Sequence, residues 1–171
     1  SFDPEIHHPI AVSPEDRVLF GGAVGFIGEY EIERAESLLY LAQHGISVTI
    51  IGKSWEKCKF SHHNLIIKAM SLWNTDYAKA ICSFDIVLAF LRKANRDKHT
   101  SRSLEIPACG AFMLAERTDE HKELYTEGVE AEYFSNNEEL LQKVSYYLEH
   151  SDKRKQIAAQ GLDRCNQSGY S

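Results

Sequence analysis

The stretch Asp85-Ile86-Val87-Leu88-Ala89-Phe90 runs apolar without a break after its opening aspartate. A strand with one wet face alternates polar and apolar side chains. A continuous run instead marks a strand buried on both faces, which requires a parallel sheet with helices on each side. Upstream, Ser47-Val48-Thr49-Ile50-Ile51 is a second β-branched run, stopped by Gly52, and Ala23-Val24-Gly25-Phe26-Ile27 a third, stopped by Gly28. Between these two, from Glu31 onward, the apolar period becomes helical. Ala35, Leu38, Leu39 and Ala42 fall on one face, and Gly45 is placed to cap the carboxyl end. Leu65-Ile66-Ile67 reads as a short strand, and residues 76–83 as a helix. The polar segments 53–63 and 92–100 read as loops.

Downstream the alternation continues. A short helix over 101–109 closes at Gly110, and Ala111-Phe112-Met113-Leu114-Ala115 is the next strand. A short helix over 120–125 and a strand over 131–134 follow. Asn136 is positioned to cap a helix that turns Leu140, Leu141, Val144 and Leu148 inward, and Ser151 to cap a final helix over 152–167. At the other end, residues 1–12 carry two prolines and no period and read as an extended linker, while Ser13-Pro14 opens a short capped helix. Strand and helix alternate throughout residues 13–171, which predicts an α/β fold: one Rossmann-like, doubly wound parallel sheet. Ligands of such sheets bind beyond the carboxyl ends of the strands, here the loops after Ile27, Ile67 and Phe90.

Composition narrows the function. The 171 residues carry 19 Lys and Arg against 25 Asp and Glu, a net charge of −6, with no basic stripe to neutralise a nucleic acid backbone. No apolar run is long enough to span a bilayer, and Ser1-Phe2-Asp3-Pro4-Glu5 has no signal-peptide character. Cys58, Cys82, Cys109 and Cys165 are too dispersed for a zinc site and read as reduced, mostly buried thiols, so a cytoplasmic location is expected. The adjacent pairs His7-His8 and His62-His63 are expected to point apart and face solvent. Tyr146-Tyr147 reads as one packed ring and one surface ring.

The most informative segment is Asn95-Arg96-Asp97-Lys98-His99-Thr100-Ser101-Arg102-Ser103-Leu104-Glu105, running from a strand's carboxyl end into a helix. Free backbone N–H groups around Thr100, Ser101 and Arg102 suit a diphosphate, and Arg96 and Arg102 bracket the place. Glu105 would repel phosphate but suits ribose hydroxyls; its plainer reading is an i,i+3 pair with Arg102. Gly28 serves either as a strand terminator or as a point of close ligand approach. Arg34 can reach a phosphate, although a surface arginine is the simpler expectation. Gly22, Gly25 and Gly28 do not make G-x-G-x-x-G, which disfavours a dinucleotide reductase.

The pattern Arg102-x-x-Glu105-x-x-Ala108-Cys109-Gly110 resembles the core motif of GT-B glycosyltransferases and is most similar to the CgeB-like, spore-maturation type branch. The resemblance extends from Phe2-Asp3-Pro4-Glu5-Ile6-His7-His8-Pro9, similar to that branch's interdomain linker, through Val24-Gly25-Phe26-Ile27-Gly28 to Gly161-Leu162-Asp163-Arg164-Cys165. It implies the C-terminal half of a GT-B fold, a domain that binds a nucleotide-diphosphate sugar, UDP-linked by expectation. It also implies a metal-independent reaction with no cofactor. In that family two glutamates eight positions apart face the donor. Glu105 matches the second, at the ribose; the first is Asp97 here, a shorter carboxylate near the sugar. The resemblance further places the diphosphate by Thr100 and Ser101 and the base near the third strand, where Trp73 can line it. An acceptor-binding N-terminal domain would supply the general base, so residues 13–171 are expected to bind donor without turnover. A non-catalytic nucleotide-binding or protein-interaction module is the alternative.

Overall fold

The computed structural model describes residues 1–91 and 100–170. Among the described residues six strands lie in one sheet: β1 (Gly22–Ile27), β2 (Val48–Ile51), β3 (Leu65–Lys68), β4 (Phe84–Ala89), β5 (Met113–Glu116) and β6 (Glu132–Phe134). All pairings are parallel and the order is β3-β2-β1-β4-β5-β6. The chain winds outward from β1 in one direction, then returns to β4 on its other side and winds the opposite way. The expected doubly wound Rossmann-like sheet is therefore what forms, and its topological switch point lies between β1 and β4.

Among the described residues seven α-helices cover it: α1 (Pro14–Phe20), α2 (Ile32–Gln43), α3 (Asn74–Cys82), α4 (Arg102–Ala108), α5 (Asp119–Leu124), α6 (Asn137–Glu149) and α7 (Ser151–Ser168). Successive residues of β4 divide between the two faces, as the pleat requires. Val87 and Ala89 pack with α1, α3 and α4, whereas Ile86 and Leu88 pack with α2 and α6. That division is the physical meaning of the unbroken apolar run.

Local chemistry sets the helix ends. Ser13 and Asp16 make a reciprocal capping box at α1. Gly45, at φ +87°, closes α2 with the paired bonds Gly45 N to Ala42 O and Ile46 N to Leu41 O, a Schellman motif. The buried face of α2 includes Leu41 rather than Leu39, which is only half-buried, so the stripe runs 35, 38, 41, 42. On α6 it is Leu140, Val144 and Tyr147 that are fully buried; Leu141 and Leu148 flank the core. Tyr146 is the surface ring, as expected. His150, not Ser151, occupies the cap position of α7, which has no side-chain cap.

Other readings are corrected. The segment after β2 is not plain loop: a 3₁₀ turn (Trp55–Lys57) buries Trp55 to 2% exposure. His62 and His63 do not point apart; their rings stack at 4.3 Å. His7 is enclosed rather than solvated, with its ring edge-on to Tyr77. Residues 1–12, read as an extended linker, turn at Asp3–His7, bond to Tyr170 and pack Pro9 against Gly110. All four cysteines are free, two of them fully buried. No described helix is long and apolar enough to cross a membrane.

Candidate functional site

The carboxyl ends of β1, β2 and β3 are stitched into one rim. Gly28 N donates to Ile51 O at 2.9 Å, Gly52 N to Lys68 O at 3.2 Å and Tyr30 N to Lys53 O at 3.1 Å. Trp55 Nε1 donates to Gly28 O at 2.8 Å from beneath. The rim needs glycine because the backbones nearly touch: a Cβ on Gly52 would lie 1.8 Å from the Gly28 carbonyl oxygen. Above it opens a cavity of about 220 Å³, walled by Gly28, Gly52, Lys53, Trp73, Tyr77 and Arg102 among others. Its charged lining is Lys53 and Arg102 with one acidic residue, Glu29, and its apolar wall includes Met70, Leu72 and Trp73, the last 70% exposed. The Lys53 ammonium sits 5.3 Å from the Trp73 ring centre, a cation–π distance.

Gly28, Trp73 and Arg102, three residues singled out from sequence, thus meet in one strand-end cavity. Thr100 and Ser101 stand at the start of α4 beside Arg102. The amide of Thr100 is already used, donating to Ser103 Oγ at 3.1 Å. Ser103 N donates to Thr100 O, leaving the amides of Ser101 and Arg102 with no acceptor among the described residues. Two side-chain atoms there are likewise buried without a described partner, the Thr100 hydroxyl and Arg102 Nε. Because α4 has only seven residues, its dipole contributes less than the sequence motif implied, and these individual donors matter more. Arg96 and Asp97 lie outside the described residues.

Arg34 is not a surface arginine and does not face the cavity. It is 2% exposed, with Nη1 3.0 Å from Glu29 O, Nη2 3.5 Å from Phe90 O and its guanidinium 5.5 Å from the Phe26 ring centre. It ties the chain leaving β1 to the chain leaving β4, so its place is behind the switch point. Glu105 is half-buried and does not pair with Arg102. Its Oε2 accepts a 2.6 Å bond from Tyr77 Oη, and its Oε1 stands 3.8 Å from His7 Nε2. The carboxylate is thus held by Tyr77, a residue of the cavity lining, and Glu105 itself is not part of that lining. Burial, then the facing Glu105, push the Tyr77 phenol well above its ordinary pKa, so it holds its proton as the donor.

Sequence reasoning missed Tyr77, Lys53 and His7. Lys53 was within reach, since it directly follows Gly52 at a strand's carboxyl end. Tyr77 carried no local signal, because its role depends on α3 lying against α4.

Two other hollows fit a sugar nucleotide less well. One of about 290 Å³ opens at the amino ends of β4 and β5, the wrong end of the sheet. Another of about 550 Å³ beside β5 and β6 is lined by Glu33, Glu36 and Glu116, and its Arg117 is already committed to Glu127 and Glu139, so its field repels phosphate.

The fold is shared with known proteins. The C-terminal domain of the glycosyl transferase group 1 family protein LpcC from Francisella tularensis superposes with a TM-score of 0.75 at 12% identity, covering 99% of this chain and 98% of that one. Anabaena Alr3699/HepE, solved in complex with UDP and glucose, gives a TM-score of 0.75 at 15% identity over 98% of this chain. This chain spans about half of HepE, 50% of its length. Sucrose-phosphate synthase from Thermosynechococcus elongatus gives 0.72 at 9% identity, covering 97% of this chain and 46% of that one. No curated protein matches in sequence. The glycosyl transferase-like family model, however, matches residues 33–171, from the first turn of α2 to the last residue and so across every element that builds the cavity except β1; the chain belongs to the glycosyl transferase-like family.

Proposed function

We propose that this domain binds the nucleoside diphosphate of a sugar-nucleotide donor in the cavity at the carboxyl ends of β1, β2 and β3. The observation that carries the reading is the cluster of donors at the start of α4 that find no acceptor among the described residues: the Ser101 and Arg102 amides, the Thr100 hydroxyl and Arg102 Nε. A buried donor without an acceptor, as the Thr100 hydroxyl and Arg102 Nε are among the described residues, is costly, and a diphosphate supplies acceptors. In this reading the base lies toward Trp73 and Lys53, and the ribose toward Tyr77 and Glu105. Gly28 and Gly52 line its floor. Asp97 is assigned to the sugar, with Arg96 beside the phosphates.

The domain's share of the reaction is electrostatic. Fixed donors stabilise the charge that grows on the departing diphosphate while the glycosyl group moves to an acceptor nucleophile. A uridine nucleotide, a metal-independent transfer and membership of the CgeB-like branch are part of the proposal. So are a cytoplasmic setting and a separate acceptor-binding domain that carries the general base. On that view residues 13–171 bind donor without turnover, and measurable sugar transfer by the 171-residue chain would contradict it.

One observation favours a second reading, a non-catalytic module: Glu105 is already bonded to Tyr77 and is not part of the cavity lining. Calorimetric titration with UDP, GDP and ADP separates the two. Donor binding predicts saturable binding of at least one diphosphate, weakened at least about tenfold in Glu105→Ala by loss of charged hydrogen bonds. No binding of any of the three leaves the module.

A further inference from the structure

We infer that Cys82 and Cys109 are a peroxide-reactive thiol pair, Cys82 the attacking sulfur and Cys109 the resolving one, whose oxidation staples α3 to α4. The inference concerns a hollow away from the donor cavity and does not depend on what that cavity binds.

The two cysteines are far apart in sequence, and the fold brings them together. Cys82 is the last residue of α3, and Cys109 directly follows α4. Both helices run back toward the amino ends of the strands they precede, so their ends arrive together at the start of β4 and β5. The Cys82 thiol donates to the Cys109 carbonyl oxygen at 3.5 Å, and the two sulfurs are themselves in hydrogen-bonding contact. Both residues line the hollow of about 290 Å³ at that end of the sheet.

Exposure and charge divide the labour. Cys82 is half-buried, whereas Cys109 is 3% exposed. The same hollow is lined by Arg17, Arg154 and Lys155 against one carboxylate, Asp85, and a cationic setting favours thiolate over thiol. The hydrogen bond from Cys109, joined by the Ile10 amide and the nearby His8, outweighs burial and lowers the Cys82 thiol below its ordinary value. That bond, then burial, raises Cys109, which keeps its proton. The remaining thiols are placed differently. Cys165 is buried against Tyr125 Oη at 3.0 Å, and Cys58 faces Phe60 O at 3.7 Å.

The chemistry balances with a peroxide as oxidant. The Cys82 sulfur attacks one peroxide oxygen, the O–O bond breaks, and the departing hydroxide takes the thiol proton as water. Cys82 is left as a sulfenic acid. The Cys109 sulfur then attacks the Cys82 sulfur, its proton goes to the departing hydroxyl, and a second water leaves as the disulfide forms. The sulfurs lose two electrons and the peroxide gains them. A dithiol reverses the bond by exchange. The bridge ties the helix of Tyr77 to the helix of Arg102, at the opposite end of the sheet from the donor cavity. In a reducing compartment such a bond is transient and reports the local oxidant.

The test uses the full 171-residue chain, reduced, freed of reductant and given one molar equivalent of hydrogen peroxide. Mass-spectrometric peptide mapping without reduction is expected to find the tryptic peptide of Cys82 joined to that of Cys109, with Cys58 and Cys165 still free. The oxidised chain should melt at least about 5 °C above the reduced one, because the bridge constrains the unfolded state, and dithiothreitol should reverse the gain. Cys109→Ser lacks the resolving sulfur, so dimedone should trap a sulfenic acid on Cys82 in that variant and not in the wild type. A bridge from Cys109 to Cys165, a bridge between chains, or no bridge at all overturns the inference. An oxidised chain that melts no higher than the reduced one refutes the staple. Should Cys109→Ser fail to fold, the wild-type peptide map decides by itself.

Discussion

At the scale of single residues, the cavity exists because two glycines let three strand ends converge. Gly52 has no unusual φ; what demands glycine is the Gly28 carbonyl, 1.8 Å from where a Cβ would stand. The obstacle is backbone, itself held by Trp55 Nε1, and cannot swing aside. Gly52→Ala should therefore destabilise the fold by about 2–3 kcal/mol, the cost of forced overpacking, read as a lower urea midpoint at unchanged slope. Gly45→Ala is the control. Nothing lies within 4 Å of its Cβ, and only its φ of +87° penalises alanine, for about 1 kcal/mol. Equal losses for the two would disprove the close-approach argument. The glycine positions were visible in sequence as strand terminators, but the reason for Gly52 was not, because it depends on which strand lies beside it. Arg34 shows the same limit. Its charge suggested phosphate, whereas the carbonyls it actually satisfies, Glu29 O and Phe90 O, come from chain ends that only the sheet order brings together.

At the scale of elements, what could be read was whatever repeats with a period. All six strands, α2 and α6 announced themselves by pattern, and their glycine and asparagine caps confirmed the boundaries. Trp55 escaped because a single aromatic in a polar segment has no period, although it is a core residue. The helix α4 is instructive because its sequence alone does not hold it. It has seven residues, Pro107 inside and no side-chain cap at Ser101, and helices so short are not stable by propensity. It packs on α7, β4 and β5, and α5 adds a hydrogen-bonded prop. The wholly buried His121 has Nδ1 2.6 Å from Glu116 O and Nε2 2.7 Å from Ser103 Oγ. A carbonyl only accepts, so Nδ1 carries the proton; Ser103 accepts from Thr100 N and passes its own proton to Nε2. His121→Phe removes this prop and takes away the imidazole that receives the Ser103 hydroxyl proton. A loss of about 2 kcal/mol is expected, with the amides of α4 losing hydrogen-exchange protection ahead of those of β4. Uniform loss of protection across both elements would show that α4 does not lean on His121.

At the scale of the whole molecule, the acidic chain is held at its β5–β6 edge by one charge cluster, and that cluster sets how the protein meets acid. Arg117, just past β5, reaches Glu139 on α6 with Nη1 2.7 Å from Oε1 and Nη2 2.8 Å from Oε2, a bidentate pair, and Glu127 through Nε at 2.8 Å. Ser135 N donates to Glu139 Oε1 at 2.7 Å, and Lys143 Nζ stands 3.8 Å from Oε2. The hydrogen bond from Arg117, joined by that from Ser135 and the nearby charges, outweighs partial burial and lowers Glu139 from an ordinary 4.5 to about 2. The folded state thus holds this carboxylate ionised more tightly than the unfolded chain does. A group depressed in this way contributes stability that is complete above its unfolded value and is lost as pH falls through its folded one. The contribution should be constant from neutrality down to about pH 4.5 and fade between there and about pH 2. Since the cluster is partly exposed, screening reduces its worth to about 1 kcal/mol. Glu139→Gln should therefore melt lower at pH 7, the gap to wild type closing as the pH approaches 2, and 1 M salt should shrink the gap at neutral pH. A gap that stays constant from pH 7 to 2 would mean that the side chain acts by packing, and the edge would then owe its order to the buried Glu132–Tyr147 hydrogen bond and the apolar face of α6 instead.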